Sequence, residues 1–165
     1  MRRGGFDTAK VQDKVTVLMS INHPHILNLK DAFDERNAIY LFMDLVPEYD
    51  LLGHIHRKQK LSEDETKKLC VQLFGSVKCL HDRKIIHRDI KTENILLMDE
   101  DLHVKLSDFY LAMSISHGGF ATELHGTMSF TAPEMLPDNQ NRRYTKAVDI
   151  QCGSKSLCAL TPYLS

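Results

Sequence analysis

Asp89, Asn94 and Asp108 place two carboxylates and an amide within a short stretch of chain. They sit in His87-Arg88-Asp89-Ile90-Lys91-Thr92-Glu93-Asn94 and in Ser107-Asp108-Phe109. Oxygen donors of this kind suit a hard divalent cation such as Mg2+, and a carboxylate can also take the proton of an attacking hydroxyl. Phosphoryl transfer asks for little covalent chemistry beyond that, because positioning and charge stabilisation carry the rate. The same residues could also cap a polar turn with their own side chains. The elements around them decide between the two uses.

A chain of 165 residues with 42% apolar content can bury one core and predicts one globular unit. Its 21 basic and 22 acidic residues are well mixed and give a formal charge of -1. That balance predicts no broad nucleic-acid or anionic-membrane footprint. The start, Met1-Arg2-Arg3-Gly4-Gly5-Phe6-Asp7, has no apolar run of signal-peptide type, and the run Ile39 to Val46 is of strand length and broken by Asp44. Cys70, Cys79, Cys152 and Cys158 form no CxxC pair. These features predict an intracellular protein, cytoplasmic or nuclear, with reduced thiols.

Val11, Val15, Leu18 and Met19 form an amphipathic stripe that predicts a helix over about 7–21, stopped by His23-Pro24. Strands are predicted from Ile26 to Phe33 and from Ala38 to Phe42, joined by Asp34-Glu35-Arg36-Asn37, and a short helix after Pro47. Ser62-Glu63-Asp64-Glu65 is a capping box that opens a helix running to about His81, with Leu69, Leu73, Val77 and Leu80 on one face. Ile95–Met98 and His103–Leu106 read as a hairpin, and 111–131 as a mobile loop. After Ile150 the apolar stripe disappears, so 151–165 reads as a tail.

From Val11 to Ile150, with Ala132-Pro133-Glu134 as a third motif, the chain resembles eukaryotic serine/threonine protein kinases, closest to the calmodulin-dependent and checkpoint-kinase group. The resemblance implies an α+β, bilobal fold that is incomplete. A partial small lobe spans 1–46, a partial helical lobe 47–150, and a divergent tail 151–165. It implies ATP and Mg2+ as nucleotide and metal, with a protein substrate or a partner kinase as partner. Met43 falls at the gatekeeper, and Asp44-Leu45-Val46 at the hinge whose backbone meets adenine. Asp50 falls at the ribose and Leu96 under the base. Asp89 is implied as the group that accepts or orients the hydroxyl proton, and Lys91 as the one that steadies the phosphoryl group. Asn94 and Asp108 are implied as metal ligands. Leu18, Leu29, His87 and Phe109 would stack between the lobes, anchored by Asp149. Arg88 belongs to the catalytic-loop motif and Glu134 to the end of the activation segment. Thr127 lies in the loop that receives the substrate residue, and Ser116 and Thr122 are candidate phosphosites.

Four departures accompany the resemblance. No Gly-rich loop or strand lysine precedes the first helix, and Lys10 lies too near that helix to serve. Lys14 stands where the helix glutamate belongs, with Asp13 about 100° away around the helix. Tyr110 replaces the metal-loop glycine, whose backbone freedom a bulky residue lacks. The buried helix after Asp149 gives way to the tail, and with it an arginine partner for Glu134. From these the sequence predicts a two-stranded ribbon with open edges, a helix at 62–81 without its packing partner, and weak turnover by this chain alone. Three readings follow: a kinase impaired by truncation, a pseudokinase-like binding module, and a nonfunctional fragment.

Overall fold

The computed structural model describes residues 15–35, 38–46, 49–115, 119–136 and 142–158. Lys10, Asp13, Lys14 and Ser116 lie outside them. Residues 15–19 are helical. The helix stops earlier than expected because Ser20 and Ile21 turn back, their amides donating to the Val17 and Leu18 carbonyls at 3.1 Å each. The chain then crosses to the larger lobe before any strand begins. The Leu106 amide donates to the His25 carbonyl (3.0 Å) and the Leu27 amide to the Leu106 carbonyl (2.9 Å). The first strand therefore starts three residues later than its apolar run, since Ile26 is claimed by the core.

Strands β1 (Leu29–Glu35) and β2 (Ala38–Met43) pair antiparallel, with Ala32 opposite Leu41 and a register irregularity between Leu29 and Asp31. Period-two alternation sends Leu29, Ile39, Leu41 and Met43 towards a cleft. Phe33, Tyr40 and Phe42 are left half-exposed on the other face, Phe33 and Phe42 packing edge to face at 5.2 Å. Among the described residues this sheet has two strands, as the sequence predicts.

The larger lobe is built on helices α1 (Leu51–Lys58) and α2 (Glu63–Asp82). The start of α2 was legible in local chemistry, whereas the cap on α1 was not. Asp50 caps α1 by accepting the Gly53 amide at 2.7 Å, and the Ser62 and Glu65 side chains close a reciprocal capping box on α2. Leu69, Leu73, Val77 and Leu80 are buried along one face of α2, and Gln72 and Ser76 share it. Gln72 donates to the Leu102 carbonyl (2.8 Å) and accepts the Val104 amide (3.1 Å), while Ser76 donates to the His25 carbonyl (2.7 Å). These bonds satisfy backbone groups that the core would otherwise strand.

Four short strands in two antiparallel pairs complete the platform. Strand β3 (Ile85–Ile86) leads into the loop 87–91. The predicted hairpin is β4 (Ile95–Leu97) with β5 (Val104–Leu106). Strand β6 (Met113–Ser114) pairs with β3, and Ala121 and Tyr144 exchange main-chain bonds at 2.8 and 3.0 Å. The segment expected as a loop is thus pinned near its start and in its middle.

The largest correction falls beyond Ile150. Helix α3 (Ala147–Cys158) runs straight across that position and packs on α2. Its buried positions are Val148, Asp149, Cys152, Gly153, Ser156 and Leu157, a proper helical stripe written in small and polar residues. Apolar periodicity overlooked it for that reason. Helix α2 therefore has a packing partner, contrary to expectation. Burial pushes the Cys152 thiol up to about 11, which makes it an inert core residue.

Candidate active site

Asp149, fully buried on α3, fixes the loop after β3. Its carboxylate accepts the His87 amide (2.9 Å), the Arg88 amide (2.8 Å) and His81 Nε2 (2.9 Å). His87 is wholly buried as well. Its Nδ1 accepts the Asp89 amide at 3.3 Å, so Nε2 carries the hydrogen and donates to the Ser107 carbonyl at 3.0 Å. Burial, acting against the neighbouring carboxylates, holds the imidazole below its usual pKa and neutral. Phe109 packs edge-on against His87 at 4.9 Å and lines the cleft with Leu18 and Leu29. Of the expected apolar column, His87 and Phe109 touch directly, Leu18 packs on the core that holds Phe109, and Leu29 shares the cleft wall with them.

Arg88 adopts φ +71° and threads its guanidinium into the protein. It donates from Nε to the Leu111 carbonyl (2.6 Å) and from Nη1 to Tyr144 Oη (3.2 Å), with Glu123 at 4.0 Å. Tyr144 Oη in turn donates to the Glu123 carbonyl at 2.6 Å. Arg88 so ties the loop to the segment that follows β6, a link through Tyr144 that no motif announced.

Asp89 is the meeting point. Its Oδ1 accepts both the amide (2.9 Å) and the hydroxyl (2.8 Å) of Thr127. Its Oδ2 faces Lys91 Nζ at 3.0 Å and Asn94 Nδ2 at 3.1 Å. Lys91 also donates to Thr127 Oγ1 at 2.9 Å. Burial acts to raise the Asp89 pKa, but Lys91 and Thr127 outweigh it and hold the carboxyl below its ordinary value. Sequence reading missed Gly126, whose φ of +100° and missing Cβ let this loop approach. A Cβ there would lie 2.5 Å from the Arg88 carbonyl oxygen. Gly126→Ala should cost about 1–3 kcal/mol in chemical denaturation, and a neutral result would remove the close approach from the account.

Asn94 donates its amide hydrogens to the Asp89 carbonyl (2.9 Å) and carboxylate, which leaves Oδ1 as the acceptor. Its own main-chain carbonyl accepts the Ser107 amide (2.8 Å) and hydroxyl (3.0 Å), holding the next residue, Asp108, alongside. Asp108 is exposed, in a left-handed conformation (φ 58°), and caps the turn Phe109–Leu111 by accepting the Tyr110 amide at 3.3 Å. Tyr110 sits inside that turn without a positive φ. The glycine's freedom is not used here, so the large side chain imposes no backbone strain. Among the described residues no group of three or more His, Cys, Asp or Glu could hold a metal. The donor set of one amide oxygen and one carboxylate still fits Mg2+, which takes one or two protein ligands and completes its shell with water and phosphate oxygens.

A cleft of about 580 Å³ opens beside this corner, lined by Leu18, Leu29, Met43, Leu96, Asp108 and Tyr110 among others. Met43 and Leu96 are thus among its walls. Asp44, Val46 and Asp50 are not among its lining residues. Asp44 turns its carboxylate to Lys30 (3.0 Å), Lys105 (3.2 Å) and the Asn28 amide group (3.1 Å). Burial acts to raise its pKa, and the two lysines outweigh it. Asp50 spends its side chain on the α1 cap, and Val46 does not line the cleft. Glu134, on the turn Pro133–Met135, is exposed and makes no ion pair among the described residues. Thr122 is exposed, its carbonyl accepting Arg142 Nη1 at 3.5 Å.

The family model described as "Protein kinase domain" matches residues 3–158, which takes in all of α3. The chain is 35% identical over 137 residues to death-associated protein kinase 2 of Mus musculus, covering 81% of this chain and 37% of that protein. It is 35% identical over 146 residues to the ovarian-specific serine/threonine-protein kinase Lok of Drosophila melanogaster, covering 87% and 31%. It is 38% identical over 135 residues to the liver/testis phosphorylase b kinase gamma catalytic chain of Bos taurus, covering 79% and 33%. The matched region is thus roughly a third of each relative's length. The loop anchored by Asp149, the neighbouring Asn94 and Asp108 held together through Ser107, and these matches converge, and the chain belongs to the protein kinase domain family, among relatives that are serine/threonine kinases.

Proposed function

We propose that this chain carries the phosphoacceptor and metal-holding portion of a serine/threonine protein kinase site, for transfer of the γ-phosphoryl group of ATP to a protein hydroxyl. The observation that carries the reading is Asp89, held by Thr127 and Lys91 beside Asn94 and a cleft that reaches Asp108. Asp89, ionised and fixed, orients the acceptor hydroxyl and takes its proton. Lys91 sets a positive charge beside it, where the transferred group's negative charge would be met. Bound Mg2+ would supply Lewis acidity and charge neutralisation at the phosphates, with Asn94 Oδ1 and Asp108 as its protein ligands. Met43, Leu29 and Leu96 offer apolar walls for a purine.

A thermal-shift comparison tests the nucleotide half of this reading. Mg2+-ATP at about 100 times its Kd should stabilise the protein by about 2.7 kcal/mol, and Asp108→Ala should remove most of that shift. No shift in either protein would overturn nucleotide binding. A second reading, a binding module without catalysis, draws support from one feature: both Asp89 oxygens already hold intrachain bonds. A shift without measurable γ-phosphoryl transfer would favour it.

A further inference from the structure

We infer that Lys155 is a positioning residue for the phosphoacceptor loop, acting on Asp89 through two intervening threonines. The inference rests on the phosphoacceptor reading above. Lys155 stands on α3, half-buried, and its Nζ donates to the Thr131 carbonyl at 2.7 Å. Thr131 folds back on Thr127, its amide (3.0 Å) and hydroxyl (2.9 Å) both donating to the Thr127 carbonyl. Thr127 then gives its amide and hydroxyl to Asp89 Oδ1. A single line of donors thus runs from a helix side chain to the reacting carboxylate.

The next residue on α3 holds the opposite bank. Ser156, fully buried, shares its single Oγ hydrogen between the Ile90 carbonyl at 3.0 Å and the Cys152 carbonyl at 2.9 Å. Ile90 lies between Asp89 and Lys91. Consecutive residues of one rigid helix therefore grip the loop 89–91 and the loop 127–131, and so set the width of the gap between them. An ammonium donor to a carbonyl is a charge-assisted bond, stronger than a neutral one. Immobilising a lysine side chain also costs conformational entropy that an apolar residue at the same place would lose less of. The loop's placement, more than α3 packing, accounts for a lysine here.

The test compares the full chain with Lys155→Met, which keeps the aliphatic stem, and with Lys155→Arg, which keeps the donor. Amide hydrogen exchange is read at Thr127, Thr131 and along α2. Lys155→Met should speed exchange at Thr127 and Thr131 about tenfold, the scale of one lost bond to a charged group. Exchange at Leu73 and Val77 should not change. With a synthetic serine peptide as acceptor, its KM should rise several-fold while the KM for ATP stays fixed, and Lys155→Arg should restore both readouts. Unchanged exchange at Thr127, or a uniform rise that includes α2, overturns the inference. Where Lys155→Met fails to fold, Lys155→Gln, too short to reach the carbonyl, is read the same way. If the wild-type chain transfers no phosphoryl group, only the kinase reading falls, and the exchange pattern alone decides Lys155.

Discussion

Asp149→Ala should destabilise the protein by about 3–5 kcal/mol in urea denaturation at neutral pH. The carboxylate is completely buried and accepts from two backbone amides and His81. Alanine leaves those amides without a partner in a place water does not reach, and an unmet buried donor costs more than a bond contributes. Against a total of about 5–15 kcal/mol for a domain, the loss would leave little. Asp149→Asn keeps one acceptor oxygen and should lose less. A change in Asp149→Ala below about 1 kcal/mol would mean that the loop 87–91 is held from elsewhere.

Asp89→Asn should lower γ-phosphoryl transfer by about 10²–10⁴-fold, the range for removing a positioned proton acceptor. Mg2+-ATP affinity, followed by thermal shift, should stay nearly constant, because Asp89 does not line the cleft between Met43 and Leu96. Equal losses in both measurements would assign Asp89 to binding instead. The pH dependence has a definite sign. The folded-state pKa lies below the ordinary value of about 3.9, since Lys91 and Thr127 favour the charged form against burial. Its stabilising contribution is therefore fully present above about pH 4 and is lost as pH falls through the folded value. An acid limb in activity between about pH 5 and 7 would belong to another group.

Local chemistry was the readable part of this chain. The serine-glutamate box before α2, the α2 stripe and the Ile95–Leu106 hairpin are written within a few residues of where they act. Thr127 reaches Lys91 across 36 residues and Asp89 across 38, and only the motif resemblance hinted at it. Asp50 carries a second use that the sequence reading did not name, since a carboxylate before a helix can cap it. Tyr110 misled: a substituted glycine signals strain only where its φ is positive. Helix α3 was hidden because Asp, Cys, Gly and Ser fill the inward face between Val148 and Leu157. Hydropathy cannot see a stripe whose members are buried by hydrogen bonding and small size.

The clasp between residues 25–27 and Leu106 governs how the β1–β2 ribbon can move. Both ends of the ribbon are rooted at one spot, where the Asp44 amide donates to the Asn28 carbonyl at 3.1 Å and Lys105 reaches Asp44 from the larger lobe. A ribbon fastened so at its base would tilt about that root. Leu29 and Met43, paired there, would move least, and Ile39 and Leu41, farther along the ribbon, would move most. A small rotation would then change the width of the cleft's mouth more than its floor at Leu96.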